Sequence, residues 1–110
     1  MIIRVCVVDD DPRISEGVEL LLSTDSRFKF VGSFQTAEAA VTEIPKLDPD
    51  VVLMDINLGG LGGPSGIDCV RELKRKVPQI QILMLTVYED SDKVFNSLIA
   101  GATGSAQTRP

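Results

Sequence analysis

Three carboxylates stand side by side in Val7-Val8-Asp9-Asp10-Asp11-Pro12, at the end of an apolar run. Like charges that close repel, and the repulsion is relieved when a cation arrives or a proton stays on. A further acid, Asp55, ends a second apolar run, Val51-Val52-Leu53-Met54. Thr86 ends another, Ile80-Gln81-Ile82-Leu83-Met84-Leu85. Carboxylate oxygens suit hard cations. Mg²⁺ takes oxygen ligands, keeps several waters and often bridges to phosphate, and its charge favours the ionised acids. A carboxylate so placed is also a nucleophile toward phosphorus, giving an aspartyl phosphate. Spacing alone does not say which acid would attack. Taken singly, an acid at a strand end is a helix cap, and Asp11, followed by proline, fits that role. Acids at two strand ends of one sheet need a further reason.

The elements that would carry these residues alternate. Residues 1–8 are β-branched and nearly continuous, which predicts a buried strand. Ile14, Val18, Leu21 and Leu22 then recur at helical spacing, so a helix runs to residue 22 or 23. Residues 28–34 (FKFVGSF) form a second strand, diluted by Gly32 and Ser33 as suits a sheet edge. Thr36 can cap a helix whose apolar face is Ala37, Ala40, Val41 and Ile44, with Pro45 near its end. Residues 51–54 form a third strand. The loop Gly59-Gly60-Leu61-Gly62-Gly63-Pro64 follows. Ser65-x-x-Asp68 resembles a capping box, ahead of a helix with Ile67, Val70, Leu73 and Val77 inward. Residues 80–86 predict a fourth strand and residues 89–100 a fourth helix, stopped by Gly101.

Strand and helix alternate four times, which predicts an α/β doubly wound parallel sheet. In such sheets ligands bind beyond the carboxyl ends of the strands, where strand order reverses. If strands one and three are neighbours, Asp9, Asp10 and Asp55 share one crevice. The chain's 110 residues suffice for one domain, and its apolar fraction of 44% is that of a globular protein. A net charge of −5 argues against nucleic acid or an anionic membrane as a direct partner. No run of 18 apolar residues and no secretory pattern is visible, which places the chain in the cytoplasm. Cys6 and Cys69 fall on apolar patterns and are read as buried, reduced thiols. With no histidine, a zinc site has little to work with.

Four stations now stand in order: Val7-Val8-Asp9-Asp10, Leu53-Met54-Asp55, Met84-Leu85-Thr86, and Ala100-Gly101-Ala102-Thr103-Gly104. Together they resemble the receiver domain of two-component response regulators, a flavodoxin-like fold, over residues 1–104. Thr86-Val87-Tyr88-Glu89-Asp90 and Ala100-Gly101-Ala102 are similar to NarL-like regulators that carry a LuxR-type DNA-binding domain. The resemblance implies that Asp55 is the phosphoacceptor. It implies that Asp10 binds Mg²⁺ directly, that Asp9 acts through water, and that Asn57 adds a backbone carbonyl. Thr86 would sense the phosphoryl group. The donor would be a sensor histidine kinase or a small phosphodonor, and DNA would be met only through an output domain outside this sequence.

The match departs from the family pattern in two places. Gly59 stands where a proline is usual, and GGLGG resembles a short insertion. After Gly104 the chain reads Ser105-Ala106-Gln107-Thr108-Arg109-Pro110, with no apolar strand and no lysine at the family's position, Thr108. The domain is therefore read as 1–104, its fifth strand and last helix missing, with 105–110 a disordered or foreign tail. Strand four would be an open edge, able to pair with a second copy. The alternative function is a non-phosphorylated pseudo-receiver or fragment acting through its surface. A nucleotide or flavin binder fits less well, because the loop after strand one is acidic rather than glycine-rich. A hydrolase would need a further acid or base, and none stands out.

Overall fold

A computed structural model describes residues 1–55, 58 and 66–85. Along the chain run β1 (Ile3–Val8), α1 (Pro12–Leu22), β2 (Phe28–Phe34), α2 (Ala37–Leu47), β3 (Val51–Asp55), α3 (Gly66–Lys76) and β4 (Gln81–Leu85). All strand pairs are parallel, in the order β2-β1-β3-β4. The α/β parallel architecture is the one the alternation predicts. β2 lies at an edge, as its dilute composition suggests.

The chain steps one way from β1 to β2 and then crosses to the other side of β1 for β3. Strand order thus reverses between β1 and β3. They pair from Val5 opposite Val51 to Val8 opposite Met54. One residue beyond that last pair, the strands deliver Asp9 and Asp55.

Both faces of the sheet are covered, which is why residues 5–8 and 51–54 read as unbroken apolar runs. Val5, Val7, Val51 and Leu53 pack with Val18, Leu22 and Phe28 on the α1 side. Cys6, Val8, Val52 and Met54 pack with Ala40, Ile44, Cys69 and Leu73 on the side of α2 and α3. Both cysteines are buried and free, as expected.

Caps end the helices where the sequence implies. Asp11 Oδ1 accepts from Arg13 N at 2.9 Å, with Pro12 the first residue of α1. Thr36 Oγ1 accepts from Ala39 N at 3.2 Å at the start of α2. α2 ends at Asp48, left-handed with φ 51°, whose N–H donates to Ile44 O at 3.0 Å. Pro45 lies inside α2. It has no N–H, so the helix offers the Val41 carbonyl no donor four residues on. Lys76 Nζ, from the last residue of α3, donates to that carbonyl at 3.3 Å. A loss in one helix is thus made good by its neighbour.

Three expectations need correction. β1 begins at Ile3, and Met1 and Ile2 are exposed. On α3, Ile67 does not face inward: it is 53% exposed, while Gly66, Cys69 and Leu73 are buried. Ile67 sits about 120° around the helix from Leu73, at roughly 100° per residue. Cys69 and Val70 flank Leu73 and set the true stripe. Ile80 is buried but precedes β4, held in a turn by its N–H to Val77 O at 3.1 Å. Among the described residues β4 pairs with β3. The glycine loop, the Ser65 cap, the fourth helix, Gly101, the tail, and whatever lies beyond the outer edge of β4 fall outside the described residues.

Candidate metal centre

Asp9 follows β1 and its backbone is tied to the edge strand, with its N–H donating to Phe34 O at 3.0 Å. Its side chain turns inward and is 6% exposed. Its Oδ1 accepts from Asp11 N at 2.8 Å. Asp55 is the last residue of β3 and is likewise 6% exposed. Its carbonyl accepts from Leu58 N at 3.2 Å, and Leu58 plugs into the core beside α2 and α3. That turn anchors the chain just after the acid. Asp10 is exposed at the rim. One carboxylate oxygen from each of Asp9, Asp10 and Asp55 lies within 4.8 Å of the others.

The electrostatics are those of a site short of positive charge. Burial pushes the Asp9 carboxyl up to about 6 from an ordinary 3.8, and repulsion from Asp55, Asp10 and Asp11 adds to this against the Asp11 N–H bond. Asp11 belongs elsewhere. Arg13 grips it through Nη2 to Oδ2 at 2.8 Å and through Nε, holding its carboxyl below the usual range. The donor set is three oxygens with no nitrogen or sulfur, which fits a hard divalent cation. Such an ion would offset the burial and repulsion that raise the proton affinity of Asp9.

Asp9, Asp10 and Asp55 are therefore brought together as the sequence reading required. Asn57 and Thr86 lie outside the described residues. Sequence reasoning missed one polar residue near this end of the fold. The apolar spacing puts Ile14 on the inward stripe of α1, and it packs half-buried against that core, but Ser15 is also buried there with Val18 and Leu22. The spacing 15, 18, 22 was the available signal.

Fold and site together define a class. Residues 5–106 match the response regulator receiver domain family, and the chain belongs to it. Among curated relatives, the transcriptional regulatory protein DegU of Brevibacillus brevis is 32% identical over 102 residues, covering 93% of this chain and 42% of DegU. The response regulator protein VraR of Staphylococcus aureus (strain NCTC 8325 / PS 47) is 33% identical over 101 residues, covering 92% of this chain and 47% of VraR. This chain thus spans less than half the length of either. In fold it is similar to the RcsB response regulator of Salmonella typhimurium, with TM-score 0.82 at 22% identity, over 97% of this chain and 64% of that one. No helix among the described residues is long and apolar enough to cross a membrane.

Proposed function

We infer that this chain is the phosphoacceptor module of a two-component response regulator, with Asp55 taking the phosphoryl group. The observation that carries the reading is the meeting of Asp9, Asp10 and Asp55 oxygens within 4.8 Å at the strand-order reversal. The Asp55 carboxylate attacks phosphorus, an O–P bond forms, and the bond to the donor, the histidine nitrogen of a sensor kinase or the leaving group of a small phosphodonor, breaks. Phosphoryl transfer asks a protein for positioning and charge neutralisation more than for covalent chemistry. The β3 backbone and the Leu58 anchor hold Asp55 at the crevice. Asp9, Asp10 and Asp55, with the Asn57 backbone carbonyl implied by family resemblance, would hold Mg²⁺. That ion would supply the positive charge that lets an anionic phosphodonor approach three acids. Thr86, placed by the same resemblance, would sense the product. The chain is not an enzyme in the ordinary sense; it acts on itself. The parent protein would regulate transcription in the cytoplasm through a DNA-binding segment of the LuxR type.

Incubation with a small phosphodonor and Mg²⁺, read by intact mass, tests this. One added phosphoryl group is expected on the native chain and none on Asp55→Asn. No uptake under any condition would favour the pseudo-receiver reading.

A further inference from the structure

Ser15 is the one buried side-chain polar atom that finds no hydrogen-bond partner among the described residues. It is 7% exposed. A serine inside a helix commonly bonds back to the carbonyl four residues earlier. Here that carbonyl is Asp11 O, which accepts from Ile14 N at 3.1 Å, and the Ser15 hydroxyl makes no bond to it.

Its place in the fold sets the layer in which the hydroxyl lies. Ser15, Val18 and Leu22 form the inward stripe of α1, and Val18 and Leu22 pack on the face carrying Val5, Val7, Val51 and Leu53. Asp9 and Asp55 continue those two strand rows at period two, so they belong to the same face. α1 starts at the carboxyl end of β1 and runs back along the sheet. Ser15 is therefore the stripe residue nearest the acids. A buried hydroxyl without a protein partner at that end of the layer is suited to bond an ordered water. A hard cation held by three carboxylates keeps several waters, and those waters need partners.

We propose that Ser15 is a positioning residue of the acidic centre, its hydroxyl hydrogen-bonding a water of the hydration shell of the cation held by Asp9, Asp10 and Asp55. This rests on the cation reading above and adds a residue to it. Outer partners of this kind orient what the ligands bind, and their loss lowers metal affinity about tenfold or more.

The test is calorimetric titration with Mn²⁺ of the native chain, Ser15→Ala, Ser15→Cys and Asp9→Asn, beside urea unfolding in chelator. Ser15→Ala is expected to bind Mn²⁺ about tenfold more weakly. Ser15→Cys, which keeps the volume but offers only a weak donor, is expected to fall with it. Metal-free, Ser15→Ala is expected to be at least as stable as the native chain, because a hydroxyl without a partner has been removed. Native affinity in Ser15→Ala and Ser15→Cys overturns the proposal and leaves the cation reading standing. Loss of metal-free stability in Ser15→Ala also overturns it, since the hydroxyl would then have a protein partner. A native chain that binds no Mn²⁺ overturns both.

Discussion

Replacing Asp9 with asparagine should make the metal-free protein more stable while weakening cation binding. The buried Asp9 carboxyl titrates near 6 rather than 3.8. A shift of that size corresponds to about 3 kcal/mol against the ionised form at neutral pH, at roughly 1.36 kcal/mol per pH unit. The asparagine would keep the oxygen that accepts from Asp11 N, but its amide N–H₂ would also need partners. The expected net gain is about 1–2 kcal/mol. For a domain this size that is roughly 4–16 °C in Tm. The pH dependence fixes the cause. With the folded pKa above the unfolded one, the native state binds more protons between about pH 4 and pH 6, so native stability falls as pH rises through that window. The advantage of Asp9→Asn should be small at pH 4, grow across the window and level off above it. Urea unfolding followed by circular dichroism, in chelator, at pH 4, 5, 6 and 7.5 measures it. Saturating Mg²⁺ should stabilise the native chain and erase most of the difference. A variant no more stable at pH 7.5, or equally stabilised at pH 4 and 7.5, would refute the argument that desolvation and like charge strain this site.

Three further outcomes are expected. Leu73→Ala should cost about 2–5 kcal/mol, as a fully buried leucine does, whereas Ile67→Ala should stay within about 0.5 kcal/mol; equal losses in urea melts would contradict the stripe assigned to α3. Lys76→Met should cost about 0.5 kcal/mol in the native chain and close to nothing after Pro45→Ala restores a backbone donor for Val41 O; a double-mutant cycle with no coupling would dismiss the cross-helix bond. Burial pushes the Cys6 thiol up to about 12 and Cys69 to about 11, so both should resist a thiol reagent in the folded protein and react in denaturant; rapid labelling of the native chain would contradict their burial.

Several features were legible in the residues because they are local. A β-branched run, an Asp-Pro pair and a threonine before an apolar stripe act within a few positions, so four strands, two caps and the acids at strand ends followed from order alone. Composition placed β2 at an edge for the same reason. The α3 stripe was mis-centred because Ile67 is the more hydrophobic side chain and draws the pattern toward itself, whereas packing in the folded protein buries Cys69. Ser15 was passed over, although it shares the spacing of Val18 and Leu22, because a serine on a helix reads as solvent-facing until something packs over it.

What the tertiary structure alone decided is which strands are neighbours. Periodicity assigns a residue to a face, but pairing β1 with β3 is a choice between segments more than 40 residues apart, made by the whole sheet. That choice carries Asp55 to Asp9 and Asp10. Burial among those neighbours, a property of the packed molecule and of no residue type, raises the proton affinity of Asp9 and makes the site receptive to a cation.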